Sequence, residues 1–198
     1  MTLAIKKIEL QEFSERWFAK AAEYKGDELS NYFDKFFTLF VIYNRMYNVV
    51  VAILEEQGEI KVLKDLNKIE KRHREPPDNK AATVCVAHFL RNELGTIIDE
   101  NTKSIEDFKV IIGESLFNID LYYGQPQPEK DKQLLKGLNS KSPLTIVESL
   151  LTILYKIRCN VFHAEKGFNH HQKIILDPAN SCIYNLSQRL STRIQEHH

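Results

Sequence analysis

The stretch Val147-Glu-Ser-Leu-Leu-Thr-Ile-Leu-Tyr-Lys-Ile-Arg158-Cys-Asn-Val161 contains the longest apolar-periodic run in the chain. At a helical spacing of 100° per residue, five of its aliphatic side chains fall within about 80° of Val147 and form one stripe with it. These side chains are Leu150, Leu151, Leu154, Ile157 and Val161. Ser142 and Pro143 precede the run as a predicted N-cap and first helical residue. The pattern predicts an amphipathic helix from about 143 to 163 in the core of the fold.

Arg158 is the exception on this stripe, because it falls about 20° from Val147. An arginine in an apolar stripe needs a carboxylate, backbone carbonyls, solvent in a cleft, or an anionic ligand. His163 follows in the sequence and has the side chain whose ordinary pKa lies closest to neutral. A cation that binds phosphate and a group that transfers protons together make a candidate reaction centre. The structural alternative is that Arg158 bridges to a core carboxylate and His163 caps the helix C-terminus.

A second long helix is predicted from about Asn31 to Glu56, with Asp27 or Ser30 as its N-cap. Apolar residues occur on several of its sides, so we expect it to be central and covered by other elements. Asn44 lies on its buried stripe, about 20° from Phe33 on the helical wheel. A buried amide needs several hydrogen bonds. Asn44 therefore either ties two helices together or lines the same polar pocket as Arg158.

The remaining sequence predicts further helices and no sheet. A first helix covers about 8–24, and Gly26 ends it; others follow over 59–74, from Asp78 to about Leu94, and over 129–138. Ser104 to Asp107 resembles a capping arrangement, and 113–128 is predicted to be a loop. The last helix is predicted to begin at Asp177-Pro178. We therefore expect an all-α fold with its core built from residues 31–56, 143–163 and 178–195.

Composition limits the classes of function. Lys and Arg total 27, as do Asp and Glu, so the chain has no global basic field with which to coat duplex nucleic acid. The three cysteines, Cys85, Cys159 and Cys182, are far apart and odd in number, which is typical of a reducing compartment. The N-terminus lacks the apolar core of a signal peptide, and no run of about 18 uncharged apolar residues occurs. We expect a cytoplasmic protein without membrane contact.

Common catalytic motifs do not occur in the sequence. It contains no glycine-rich phosphate loop, no H-E-x-x-H and no G-x-S-x-G. His170 and His171 are adjacent and so point in different directions, which makes a poor two-ligand metal site. We therefore expect neither a metal site nor a cofactor.

Two stretches carry a resemblance to a known family. The first reads Arg158-Cys-Asn-Val-Phe-His163-Ala-Glu-Lys166. It resembles R-N-N-L-F-H-G-x-K, a frequent form of the signature of the HEPN domains, in which Arg is followed after four to six residues by His. The stretch Phe33-Asp-Lys-Phe36-Phe-Thr-Leu-Phe40-Val-Ile-Tyr43-Asn44-x-x-Tyr47 is similar to the F/W-x-x-F/Y-N-x-x-Y helix of one HEPN branch. Two positions depart from the signature, since Cys159 replaces a polar residue and Ala164 replaces a common glycine.

The resemblance implies a fold, namely a HEPN-like helical bundle. Residues 1–198 would form a single domain with core helices at about 8–56 and 143–195, and the segment of about 57–140 would be inserted. It also implies a metal-independent endoribonuclease, in which the RNA 2′-hydroxyl attacks the adjacent phosphorus and leaves a 2′,3′-cyclic phosphate and a 5′-hydroxyl.

The resemblance assigns roles to individual residues and implies partners. His163 would transfer the proton, Arg158 would hold the phosphate, and Asn160 would orient these catalytic groups. Asn44 and Lys166 would contact the substrate. The partners implied are RNA, a second copy of the chain in a two-fold homodimer, and an antitoxin or regulatory protein that restrains a toxin or antiviral effector. The alternative is a non-catalytic HEPN module for RNA or nucleotide binding or for dimerisation.

The spacing of Arg158 and His163 limits the ways in which their side chains can meet. Residues five apart in a regular helix point about 140° away from each other. Arg158 and His163 therefore converge only if the helix ends near Phe162, if the long arginine side chain reaches around the helix, or if a second subunit supplies the partner group.

Overall fold

A computed structural model describes residues 3–162 and 172–197, and most of this part of the chain is helical. The helices are α1 Leu3–Ala21, α2 Leu29–Glu56, α3 Glu59–Asp65, α4 Asp78–Lys80, a π-helix Ala81–Cys85, α5 Val86–Phe89, α6 Leu94–Glu100, α7 Thr102–Gly113, α8 Pro128–Leu138, α9 Pro143–Phe162 and α10 Lys173–Glu196. Strands β1 Leu121–Tyr122 and β2 Gln125–Pro126 form a small antiparallel hairpin. The all-α prediction is confirmed at the level of fold class.

Helix α2 is the central element, as its apolar residues on several sides predict. It packs against α1, α10 and the π-helix. Phe36, Leu39, Ile42, Tyr43 and Ile53 are all buried, although they point in different directions around the helix. By length and composition α2 is apolar enough to cross a membrane, but 61% of its apolar window is buried inside the fold, and the core helix of a soluble protein passes the same test.

Helix α9 buries the stripe that the sequence predicts. Val147, Leu150, Leu151, Leu154 and Ile157 are all in the core. The helix packs against α8, α6, α5 and the π-helix. At its start the Ser142 hydroxyl oxygen accepts the Thr145 backbone N–H at 3.4 Å, which agrees with the predicted N-cap.

The segment 57–140 contributes to the same core as the long helices. Its buried apolar residues belong to one cluster with those of α2, α9 and α10. They are Ile60, Leu63, Ile69, Ala81, Ala82, Val84, Cys85, Val86, Ala87, Phe89, Leu90, Ile97, Ile105, Phe108, Ile111, Ile112, Phe117, Ile119 and Leu138. The π-helix contacts both α2 and α9, so this segment packs between the two. That the segment is an insertion relative to a HEPN bundle stays a prediction.

Two predicted helix caps are wrong. Helix α2 begins at Leu29, and Glu28, at its N-cap position, makes no side-chain capping bond. Asp27 instead binds the Lys173 ammonium and accepts the Tyr32 hydroxyl at 3.3 Å, because α10 brings Lys173 to this corner. Ser104 is not a cap either, since it is buried within α7.

Two element boundaries also differ from the predictions. Helix α10 begins at Lys173, so Pro178 lies inside it; proline removes one backbone hydrogen bond there, and the helix continues with Pro178 buried. The predicted loop 113–128 contains the β-hairpin. Its two-residue turn has Tyr123 at φ 48° and Gly124 at φ 75°, the left-handed conformation that matches the twist of a tight hairpin.

Candidate functional site

Arg158 lies between aromatic rings from two helices. Its guanidinium carbon is 5.8 Å from the ring centroid of Phe40 in α2 and 5.9 Å from that of Tyr155 in α9. One of its terminal nitrogens, Nη1, lies 3.9 Å from the Cys159 sulfur. A cation within about 6 Å of a ring face is attracted by the ring quadrupole. Arg158 is thus a half-buried cation close to two aromatic rings, on the stripe that packs α9 into the core.

Asp78 joins the helices around Arg158. Its Oδ2 accepts the Tyr155 hydroxyl at 3.0 Å, and its Oδ1 lies 2.6 Å from the Tyr47 hydroxyl. Asp78 is the first residue of α4 and follows Pro76-Pro77, which fix the direction of the chain there. The carboxylate therefore links α2, α4 and α9. Its sequence position predicts only a helix cap, and no local pattern pairs it with tyrosines 31 and 77 residues away.

Asn44 extends this polar group along α2. Its side-chain oxygen accepts a hydrogen bond from the Tyr47 hydroxyl, and its carbonyl accepts the Asn48 amide at 2.8 Å. The Tyr47 hydroxyl carries one proton and donates to either Asn44 or Asp78 at a given moment. We call Asn44, Tyr47, Asp78 and Tyr155 the tyrosine–aspartate cluster. This cluster connects Asn44 to Tyr155, whose ring is beside Arg158.

The two tyrosines of the cluster remain protonated at neutral pH. Burial raises the pKa of both Tyr47 and Tyr155 above the ordinary value of 10.0, and the charge of Asp78 and its hydrogen bonds raise them further. The positive charge of Arg158 lowers both pKa values, so the guanidinium is within electrostatic reach of both hydroxyls. At neutral pH both tyrosines are therefore hydrogen-bond donors: Tyr155 donates to Asp78, and Tyr47 donates to Asp78 or to Asn44.

Asn160 makes its contact with a different part of the chain. Its Nδ2 donates to the Ile119 carbonyl at 2.9 Å, and the residue is 6% exposed. Lys156, one helical turn earlier, pairs with Asp120 at 2.8 Å. Positions two residues apart lie about 200° apart on a helix, so Lys156 and Asn160 lie on the side of α9 away from Arg158. The amide of Asn160 is engaged in anchoring the segment before the hairpin.

His163 and Lys166 lie outside the described residues, which end in α9 at Phe162 and resume at Gln172. Of the predicted site residues, the structure therefore places Arg158, Asn44 and Asn160. It adds Phe40, Tyr47, Asp78 and Tyr155 to the surroundings of Arg158. Of these four, only the aromatic residues could have been found from the sequence, because they lie one helical turn from Asn44 or Arg158 on the same face.

Within 3–162 and 172–197 no group of three or more His, Cys, Asp or Glu side chains is arranged to hold a metal ion. The three cysteines are free thiols, with Cys85 and Cys182 buried and Cys159 half-buried.

The chain was also compared with known proteins. No protein-family model, no curated protein and no solved structure matches it. The arrangement around Arg158 therefore has to be interpreted from its own chemistry.

Proposed function

We propose that this chain is a metal-independent endoribonuclease of the HEPN type. Arg158 binds the scissile phosphate, and His163 transfers the proton. The observation that carries the proposal is the placement of the Arg158 guanidinium beside Phe40 and Tyr155, near the end of the helix that His163 follows in sequence. A guanidinium is a planar group of donors whose geometry suits phosphate.

The reaction needs no metal ion, and a water molecule takes the proton-transfer role that His163 does not fill. The 2′-oxygen forms a bond to the adjacent phosphorus as its proton passes to a base, and the bond from phosphorus to the 5′-oxygen breaks. The 5′-oxygen takes up a proton, which leaves a 2′,3′-cyclic phosphate and a 5′-hydroxyl. His163 serves as the base or the acid. Arg158 stabilises the charge that develops on the non-bridging oxygens.

The tyrosine–aspartate cluster supports Arg158 in this proposal. Asp78 fixes the ring of Tyr155 by its hydrogen bond, and the ring in turn fixes the guanidinium. A cation held in advance loses little freedom when it binds phosphate, which favours the transition state. Asn44, at the end of the cluster, and Lys166 contact the ribose or the phosphates of the substrate, and Asn160 holds the helix that carries Arg158.

The cellular setting follows from the same proposal. A homodimer brings two Arg158 and His163 pairs together in the cytoplasm, and RNA is the substrate. An unrestrained ribonuclease is harmful to its host, so the enzyme is a toxin or an antiviral effector that an antitoxin or regulatory protein restrains.

The test is cleavage of RNA by purified protein in the presence of EDTA. The wild type should produce fragments with 2′,3′-cyclic phosphate ends, and His163→Ala and Arg158→Ala should lose activity by about a hundredfold or more. Lys141→Ala, at an exposed lysine before α9, is the matched control and should cleave like the wild type. Equal cleavage by all variants, or no cleavage by wild type freed of inhibitors, would contradict the proposal.

A second candidate is a non-catalytic module that binds RNA or a nucleotide or that dimerises. The engagement of Asn160 with the Ile119 carbonyl favours it, because that amide then serves the fold. In this case the wild type would bind RNA without cleaving it. His163→Ala would keep that binding, whereas Arg158→Ala would weaken it.

A further inference from the structure

A groove of about 540 Å³ lies where the end of α1, the start of α2 and the first turns of α10 meet. Its volume falls in the range of small-molecule sites, roughly 300–1,000 Å³. Neither Arg158 nor any member of the tyrosine–aspartate cluster lines it. The groove therefore needs an explanation of its own.

Aromatic rings form much of its wall. Phe18, Tyr24, Tyr32 and Tyr184 all line it. The rings of Phe18 and Tyr184 meet edge to face, with centroids 5.6 Å apart and an interplanar angle of 77°. Tyr184 is 42% exposed, although it lies on a helix with a well-buried inner face. Rings of this kind offer flat apolar faces to a planar ligand.

Two asparagine side chains line the same groove. Asn180 is 4% exposed, and its Nδ2 donates to the Tyr32 carbonyl at 3.0 Å. Its Oδ1 is buried and has no hydrogen-bond partner within the described part of the chain. Because this atom has almost no exposed surface, Asn180 serves the groove by holding the Tyr32 backbone in its wall.

Asn31 is held against the backbone of Gly26 at the rim of the groove. A Cβ atom on Gly26 would come within 2.3 Å of the Asn31 Nδ2. A side chain at this position would therefore displace the Asn31 amide from the groove.

Charge decides what kind of planar ligand the groove suits. Its charged lining residues are Lys25, Lys35 and Asp177, which give two positive charges and one negative charge, or a net charge of +1. Lysines bind phosphate as mobile point charges. A ligand for this groove thus combines a flat ring, hydrogen-bonding groups on its edge and an anionic group.

We propose that this groove binds a nucleobase that carries a phosphate. The base lies against the aromatic wall, the amide of Asn31 hydrogen-bonds its edge, and Lys25 and Lys35 contact the phosphate. The ligand is either a free mononucleotide or one nucleotide of an RNA strand, since both present the same chemistry. The inference does not rest on the proposed ribonuclease activity, because it uses none of the residues around Arg158.

Isothermal titration of the full chain with AMP, adenosine and inorganic phosphate tests this inference. AMP should bind, and adenosine should bind about tenfold more weakly because it lacks the charged group. Tyr184→Leu should weaken AMP binding about tenfold through the loss of stacking. Lys35→Ala should weaken the binding of AMP but not of adenosine. Gly26→Ala should weaken both, because it displaces Asn31.

Matched variants separate this groove from other surfaces. Tyr122→Leu removes an exposed tyrosine of the hairpin, and Lys132→Ala removes an exposed lysine of α8; both should bind AMP like the wild type. Arg158→Ala should also keep AMP affinity, even where it abolishes RNA cleavage. Circular dichroism of each variant confirms that it is folded.

Three results would overturn the inference. They are the absence of AMP binding to the wild type, full AMP affinity in both Tyr184→Leu and Lys35→Ala, and loss of AMP binding in Arg158→Ala.

A 2′-O-methyl pentanucleotide, which lacks the attacking hydroxyl, distinguishes a free mononucleotide from a nucleotide within an RNA strand. If it displaces AMP and also depends on Tyr184, the ligand is part of an RNA strand; if it does not displace AMP, the ligand is a free mononucleotide.

Discussion

Asn160 is a single residue that holds the late part of α9 against the chain before the hairpin. Its amide donates to the Ile119 carbonyl in a site that is almost closed to water. Asn160→Ala leaves that carbonyl buried without its partner, so the free energy of unfolding should fall by about 1–3 kcal/mol. Urea denaturation measures the change. Asn139→Ala removes an exposed amide that donates to the Leu135 carbonyl at 3.0 Å and should change stability by less than about 0.5 kcal/mol. Equal losses in the two variants would show that the buried contact contributes little.

Tyr47 should lower the stability of the fold at alkaline pH. Its pKa is raised above 10.0 in the folded chain, chiefly by burial and then by Asp78. Above about pH 10 the unfolded chain therefore binds fewer protons than the folded one. The contribution of Tyr47 to the free energy of unfolding is fully present below pH 10 and should be lost as pH rises beyond it.

The Tyr47→Phe variant tests this titration. The variant should be less stable at neutral pH, because it loses the contact with Asp78, but its stability should fall less steeply between pH 9 and pH 11. Thermal unfolding across that pH range measures the slope. Tyr123→Phe, at an exposed position of the hairpin, is the control. If the stability of Tyr47→Phe fell with pH as steeply as that of the wild type, Tyr47 would not be the cause of the alkaline loss of stability.

At the scale of elements, the π-helix Ala81–Cys85 places the helices around the site. It follows α4 directly, contacts both α2 and α9, and is buried along its whole length. The Tyr43 hydroxyl of α2 donates to the Ala82 carbonyl, and this hydrogen bond links the π-helix to the central helix. Such turns are rare and are often found near functional sites. Here the π-helix fixes the position of Asp78 relative to Tyr47 and Tyr155.

The packing of α8 on α9 depends on one glycine. A Cβ atom on Gly137 would come within 2.0 Å of the Ser149 Oγ and 3.0 Å of its Cβ. Gly137→Ala should therefore push the helices apart and lower the free energy of unfolding by about 1–3 kcal/mol, measured by urea denaturation. Adding Ser149→Gly should restore part of the loss. Gly95→Ala in α6 is the matched control, because no atom lies within 4 Å of its Cβ position, and it should be neutral or slightly stabilising.

At the scale of the whole molecule, residues 57–140 and the long helices should unfold together. Phe108 in α7 and Phe36 in α2 are both 0% exposed and belong to the same core cluster. Replacing either with alanine should reduce the free energy of unfolding by a similar amount, about 3–5 kcal/mol.

Two probes report on this cooperativity. The single tryptophan, Trp17, lies in α1, and circular dichroism follows all helices. Both should give one coincident transition in urea for the wild type and for Phe108→Ala. A Phe108→Ala variant that loses helicity while Trp17 fluorescence keeps its wild-type midpoint would show that segment 57–140 unfolds separately.

The sequence determined the features that depend on neighbouring residues. The helical period places Val147 to Ile157 on one buried stripe, and the Ser142 cap sets the start of α9, because both depend on positions only a few residues apart. The apolar and aromatic residues on several sides of α2 likewise predicted its central position, because they too follow the helical period. The predicted helix cap at Asp27 was wrong, because Asp27 pairs with Lys173 of α10, which is distant in the sequence.

Contacts between distant residues arise only when the helices pack. The hydrogen bonds of Asp78 to Tyr47 and Tyr155, the anchoring of Asn160 on Ile119, and the groove between α1, α2 and α10 all join residues far apart in the sequence. No local pattern encodes them, because they depend on which helix faces meet and at what depth. The position of Arg158 on its stripe, one turn after Tyr155, was therefore readable from the sequence, whereas the approach of Phe40 from α2 comes from the tertiary structure.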